Sequence, residues 1–325
     1  MKGINQSSLK EILKSPGAYQ RALEKSESTE KHFLLGSLVD EMLLEEDPEY
    51  IEKHYYRAGE LSVSDAIKDI VKYVFDKASL DSSSSFELLD DYILEGCSIY
   101  NWNNKWGDAA KLKNVKAQGT AYFNLLKESQ GKTIITEAEY LQAMTAKMSI
   151  LQDPYIKKFF IENENQSVLK KHVLTFEYRD NSCKGEVDLI VVDHKNKIIH
   201  PFDVKTMSMA TNYFSINFWK FRYDFQAAFY TEGIRRSKSL QKYIKDGYSV
   251  GYFKFIVVDL NATSYPLIYK MTSEVLNIGI YGGTLKNGKE IEGVKQAFDR
   301  LNFHLEKQEF TYPKEYYSGP INIEI

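Results

Sequence analysis

Only two cysteines, Cys97 and Cys183, occur among the 325 residues. That is too few for a four-cysteine zinc site, a four-thiolate iron–sulfur cluster or a disulfide framework, so each reads as an isolated thiol. Positive charge is not in excess: 42 Lys+Arg stand against 45 Asp+Glu, a formal net charge of −3. The simplest argument for a nucleic-acid binder, a strongly basic chain, is therefore missing. No apolar run approaches the roughly 18 residues of a membrane span, and residues 1–6 lack the apolar core of a secretion signal. The expectation is a cytoplasmic protein with no membrane partner. Neither an internal repeat nor a GxxxxGKS or GxxxxGKT phosphate loop occurs.

The composition suits a globular chain, with hydrophobic residues at 43% and charged residues at 27%. A chain of this size buries about three quarters of its unfolded surface, so its core needs no disulfide or structural metal. Leu9, Ile12 and Leu13 predict a helix over 7–14 that Ser15-Pro16 breaks. A second helix is expected from about Lys31 to Glu46, with an apolar face wide enough for burial on most sides. The pattern stays mostly helical over 61–151, with loops at 81–85 and 101–107, and Thr136 with Glu139 forms a capping box. From about 170 strands take over: 172–178, 184–192 and 198–206, then a helix over about 221–238, strands near 249–259 and 264–270, and a final helical stretch to about Glu309. The fold class is α+β with a helical N-terminal elaboration: a helical region over 1–165 and a core over 166–325, integrated into one domain.

The segment Lys184 to Thr206 carries the chemistry. If Lys195-Asn196 is a two-residue hairpin loop, His194 pairs with Lys197 and the continued register sets Asp188 opposite Asp203. Side chains directly opposite on antiparallel strands lie roughly 5 Å apart at Cβ, so both carboxylates reach one divalent cation. Strand alternation puts Lys205 on the Asp203 face. Two facing carboxylates in apolar strands repel and are expensive to desolvate, which a bound Mg2+ or Mn2+ relieves. An adjacent lysine then serves water activation or phosphate stabilisation, the chemistry of metal-assisted phosphodiester hydrolysis. A solvated Asp–Lys pair on a surface hairpin would give the same three residues, but acids embedded in core-like strands need a reason.

These residues resemble a known family. Gly185-x-x-Asp188, Asp203-x-Lys205-Thr206 and Tyr223-x-x-Gln226-x-x-x-Tyr230 are similar to motifs II and III and the QxxxY helix of the PD-(D/E)xK nuclease superfamily, closest to the RecE-type and RecB-type exonucleases of phage or prophage origin. Lys14-Ser15-Pro16-x-x-Tyr19 and the stretch from Leu35 to Glu45 agree with it, although the likeness is strong only over 166–233. The resemblance implies a central mixed β-sheet of restriction-endonuclease-like type. It implies Asp188 and Asp203 as metal ligands, Val204 as a backbone carbonyl ligand and Lys205 as the catalytic lysine. Gln226, Tyr230 and Tyr223 would contact DNA or support the site.

Where such relatives place a ligating histidine, this chain has Asp40, a competent Mg2+ ligand or the mark of a silent site, with Glu41 as a solvent-facing neighbour. Glu186 and Glu177 are further candidate acids. Arg235 and Arg236 are the first basic cluster to consider for DNA, beside Lys111, Lys113, Lys116, Lys170 and Lys171; Trp102 and Trp106 are candidates for base stacking. His194, at the turn, is expected to be solvated. The implied activity is a Mg2+-dependent exodeoxyribonuclease acting on linear duplex ends in recombination or repair. An oligomer is expected, since a chain at −3 must concentrate its cations in a channel or ring, and a single-strand annealing protein is the implied partner. The alternatives are an endonuclease or single-strand nuclease of the same fold, and a catalytically silent DNA-binding or assembly subunit.

Overall fold

Ser15 and Pro16, expected to end the first helix, also begin another. Helix α1 (Gln6–Glu11) stops a few residues earlier, and α2 (Pro16–Glu24) starts with Pro16 as its first helical residue. That position wastes no N–H and suits the fixed φ of proline. The Ser15 hydroxyl accepts the Ala18 N–H at 3.1 Å as a cap. The computed structural model describes residues 3–24, 31–59, 62–78 and 85–319, so most of the loop expected at 81–85 lies outside the described residues.

Next come α3 (Lys31–Leu44), α4 (Tyr50–His54), β1 (Tyr55–Ala58), α5 (Asp65–Ala78), α6 (Asp90–Ile99), α7 (Asp108–Ser129), β2 (Thr133–Thr136) and α8 (Glu137–Gln152). The short parallel pair β1–β2 was not expected, because four-residue strands leave too brief an alternation to see. The capping box of α8 forms: Thr136 N–H donates to Glu139 Oε2 at 2.8 Å and Glu139 N–H to Thr136 Oγ1 at 3.1 Å.

Residues 46–141 form one compact unit. Its core sets Ile67, Ile70, Val71 and Val74 of α5 against Ile93, Val115 and Phe123. Residues 1–45 and 142–325 form the other. The division therefore does not follow the expected boundary at 165. Leu9, Ile12 and Tyr19 share an apolar cluster with Leu174, Val187 and Phe229, which ties the first helices to the sheet.

That sheet is built from β3 (Gln166–Tyr178), β4 (Asn181–Asp193), β5 (Ile198–Met207), β6 (Ser249–Val250), β7 (Lys254–Asp259) and β8 (Leu267–Lys270), with α9 (Phe214–Lys220), α10 (Tyr223–Arg236) and α11 (Gln241–Lys245) between β5 and β6. It is mixed, in the order β3-β4-β5-β7-β8 with β6 also on β5; β5 runs parallel to β6 and β7, and the other pairs are antiparallel. The runs Leu189–Val192 and Phe255–Val258 are buried on both faces, as continuous apolar strands in a sheet centre require. Helix α10 covers one face through Phe225, Ala228 and Phe229. Helix α12 (Ser273–Tyr281), the hairpin of β9 (Gly283–Thr284) and β10 (Glu290–Ile291), and α13 (Val294–Lys307) complete the chain in place of one long final helix. No helix among the described residues is long and apolar enough to cross a membrane.

Candidate active site at a strand fork

Strands β4 and β5 pair from Asp193↔Ile198 to Leu189↔Phe202, the register expected from the sequence. The connection is four residues long, 194–197, rather than two, because Asp193 turns the chain by accepting the Asn196 N–H at 2.8 Å. His194 accordingly does not pair with Lys197. It is half-buried, with Nε2 2.7 Å from Ser167 Oγ and Nδ1 3.0 Å from Tyr248 Oη, so the expectation of a solvated histidine was wrong.

The β4–β5 ladder ends at Leu189↔Phe202, one step short of the expected Asp188–Asp203 pair. From Phe202 onward β5 pairs instead with β7, Asp203 lying beside Phe255. On its other side the β3–β4 ladder also skips Asp188 and the facing Lys171, whose φ of 46° puts a kink in β3. Asp188 thus sits where the sheet forks. Its Oδ2 accepts the Val204 N–H at 2.7 Å, so Val204 touches the site through its N–H.

Asp203 is 2% exposed. Its Oδ1 accepts Gln226 Nε2 at 2.6 Å, while Lys205 Nζ lies 2.5 Å from Oδ2, the shared face that strand alternation predicts. Lys205 also stands 5.2 Å above the Tyr223 ring. Gln226 is therefore a support for Asp203. Tyr230, one turn later, lies over Gly185, where an added Cβ would come within 2.8 Å of its ring; the glycine of the Gly185-x-x-Asp188 pattern lets α10 approach β4. Gly36 plays the same part for α3, with Thr206 Oγ1 3.2 Å from where its Cβ would be. Asp40, one turn on from Gly36, shares that helix face.

The charges form one coupled group. Burial lifts the Asp188 carboxyl well above its ordinary range, and the neighbouring carboxylates of Asp203 and Asp40 lift it further. Asp203 is raised by burial, against the opposing pull of Lys205 and Gln226. Asp40 is pushed up to about 7, first by burial and then by Asp203, with Lys205 opposing. Burial alone would lower Lys205, but Asp203 and Asp188 outweigh it and hold the ammonium above the usual lysine value. Tyr223 and Tyr230 are both raised, chiefly by burial.

Two carboxylate oxygens here, Asp40 Oδ1 and Glu41 Oε2, are shut from solvent without a hydrogen-bond partner, and Asp203 Oδ2 meets only the Lys205 ammonium. Glu41 is thus half-buried and not the solvent-facing acid expected. Such orphaned anionic oxygens fit a hard cation. Among the described residues no three His, Cys, Asp or Glu side chains come together as a ready-made cage. A Mg2+ site does not demand one, since that ion is commonly held by one or two carboxylates, waters and substrate phosphate.

The other expected residues stand apart from this group. Glu186 and Glu177 are exposed, and the β3–β4 ladder pairs them with Val173 and Ser182. Arg235 and Arg236 are both tied to Glu232, and Arg236 also covers the Tyr178 ring at 5.0 Å. Lys116 is paired with Asp90 and Glu87. Trp102 packs on the core of its unit, edge-on to the 43% exposed Trp106. Lys171, expected only as one of the basic candidates for DNA, instead forms an ion pair with Glu45, and its charge reaches Asp40. A lysine at a strand kink leaves no mark in an apolar pattern.

No family model matches the chain, and no curated protein does. Among solved structures it is similar, over its full length, to a candidate exonuclease from Eubacterium rectale. The likeness covers 90% of that chain at 14% identity with a TM-score of 0.47. A likeness of that degree carries no argument about chemistry, so the functional reading rests on the fork.

Proposed function

We propose that the chain is a Mg2+-dependent phosphodiester hydrolase of the PD-(D/E)xK type that degrades linear duplex DNA from its ends. The observation that carries the reading is the fork itself: Asp188 and Asp203 on diverging strands, Lys205 against Asp203, and buried carboxylate oxygens left without partners. Asp188 and Asp203 would hold the ion, with Asp40 as a further ligand. When bound, Mg2+ supplies Lewis-acid polarisation of the phosphate and a lowered pKa for the attacking water.

The chain's own residues do the rest. Gln226 fixes the Asp203 carboxylate, leaving Oδ2 turned toward Lys205. The Val204 N–H fixes Asp188 in the same way. Lys205, held as an ammonium by its two acids, stabilises the negative charge that grows on the phosphate oxygens as water adds to phosphorus and the ester bond to the leaving sugar oxygen breaks. Tyr223 packs its ring against the Lys205 ammonium and Tyr230 packs over Gly185, which walls one side of the site.

The test is degradation of end-labelled linear duplex in Mg2+, with covalently closed circles in parallel. Wild type should consume the linear form and spare circles, and Asp203→Ala and Lys205→Ala should leave both forms intact. Equal activity in both variants would remove the assignment, and cutting of circles would make the enzyme an endonuclease.

A further inference from the structure

On the face of the sheet that carries Asp203, the strand registers set three side chains in a row: Asp203 on β5 beside Phe255 on β7, and Phe255 beside Tyr269 on β8. Neighbouring strands lie about 4.8 Å apart, so Phe255 stands one strand spacing from the fork and Tyr269 two. Both line a cavity of about 180 Å3 whose further walls include Phe214, Phe218 and Trp219 of α9. Tyr223 joins this cavity to the fork. Its ring lies 5.3 Å from that of Phe214 and 5.6 Å from that of Phe255, and the Lys205 ammonium stands 5.2 Å from its centroid.

Size and walls select the occupant. An engineered apolar cavity of about 150 Å3 takes up benzene, so this one has room for a single planar ring. Aromatic walls favour the face of a π-system over an alkyl chain. Polar lining is sparse, and the Thr272 hydroxyl already accepts the Val275 N–H at 3.4 Å, which suits stacking rather than hydrogen-bonded reading of a base edge. On or beside α9, Tyr213, Ile216 and Phe221 are exposed. Lys220, at the end of that helix, is also exposed; it makes no ion pair among the described residues, and its ammonium lies 5.4 Å from the Phe221 ring. Apolar rings beside an uncompensated cation match a nucleotide, with its flat base and anionic phosphate. A packing defect would explain a void. It would not explain the aromatic side chains and the cation that the same short segment presents to solvent.

We infer that this cavity receives the base of an unpaired nucleotide next to the one cleaved at the fork, held by stacking and without preference among the four bases. The inference rests on the nuclease reading and adds a base-binding subsite to it. A duplex would then have to lose at least one base pair at its end before its strand enters the fork.

The test is photocrosslinking of linear duplexes that carry 5-iododeoxyuridine at one defined position, with Ca2+ in place of Mg2+ and mass spectrometry of the adduct. A label in the terminal few nucleotides should attach to Phe214, Phe218, Trp219 or Tyr269, and a label deep in the duplex should not. In fluorescence-anisotropy titrations Trp219→Ala should weaken binding about 5- to 150-fold, the loss of one base–aromatic stack, and by the same factor whichever base is terminal. Trp219→Phe, which keeps a ring, should restore most of it. Ser215→Trp, at the exposed lip, should block the cavity and remove the adduct with the melting temperature unchanged. Adducts only at residues outside the cavity, no adduct at any position, or full affinity in both Trp219→Ala and Ser215→Trp overturns the inference even if wild type cuts DNA. If wild type binds DNA but does not cleave it in Mg2+, an adduct in the cavity still supports the base site while the nuclease reading fails.

Discussion

Two sets of buried aspartates in this molecule live under opposite rules. Asp259, at the end of β7, is 1% exposed and fully engaged: Asn261 N–H at 2.9 Å on Oδ1, and on Oδ2 Thr263 N–H at 3.0 Å, the Thr263 hydroxyl and Ser264 Oγ at 3.2 Å. Although burial alone would raise it, those hydrogen bonds hold its pKa below the ordinary value. Asp224 is wholly buried and takes both prongs of Arg222 at 3.0 Å. At the fork, Asp40, Asp188 and Asp203 repel one another electrostatically, Asp40 Oδ1 has no hydrogen-bond partner, and all three are pushed up. A structural acid is given enough donors to stay charged. The fork acids are not given enough donors, and Lys205 and Lys171 offset their repulsion only in part.

Breaking each set should give opposite signatures. The largest effect is on turnover: Lys205→Ala or Asp203→Ala should cut Mg2+-dependent degradation of linear duplex by about 10²–10⁴-fold or more, with circular dichroism unchanged. Next is stability at the structural acid. Asp224→Ala leaves the Arg222 guanidinium without its carboxylate and should cost roughly 3 kcal/mol in urea unfolding, the scale for breaking one side of a buried pair. Asp203→Asn should do the reverse and raise the melting temperature of the metal-free protein; a clear fall would mean that Asp203 is as structural as Asp224. Mg2+ should in turn raise the melting temperature of wild type and leave Asp203→Asn unmoved.

The smallest effect is in pH dependence. Asp40, at about 7 when folded against an ordinary 3.8, binds its proton more tightly in the folded state, so the metal-free fold should gain stability as pH falls from about 7 toward 4. His200 works the other way. It is lowered from 6.5 to about 4, first by burial and then by Lys254, whose Nζ lies 3.1 Å from its Nδ1. Its contribution is complete above about 6.5 and lost as pH falls toward 4. Urea midpoints across this range should lose the first trend in Asp40→Asn and the second in His200→Asn; identical profiles in all three proteins would contradict both assignments.

Much of the sheet was legible because its signals are local. Alternating and continuous apolar runs marked β3, β4 and β5, and the hairpin register from Asp193 back to Leu189 came out as expected even though the turn is longer. The alignment of Asp203 with Lys205 followed from alternation alone. What the pattern could not carry was departure from regularity. The kink at Lys171 and the switch of β5 from β4 to β7 depend on contacts distant in sequence, and together they turn a flat Asp188–Asp203 pair into a fork. The division of the chain at residues 45 and 141 was also hidden, since the second boundary falls inside α8, where no loop marks it.

The measurement that tests the central claim most directly is an anomalous difference map from a Mn2+-soaked crystal. The account predicts one strong peak between Asp188 and Asp203, lost in Asp203→Asn. Fully occupied Mn2+ elsewhere, or none at saturating concentration, would contradict it.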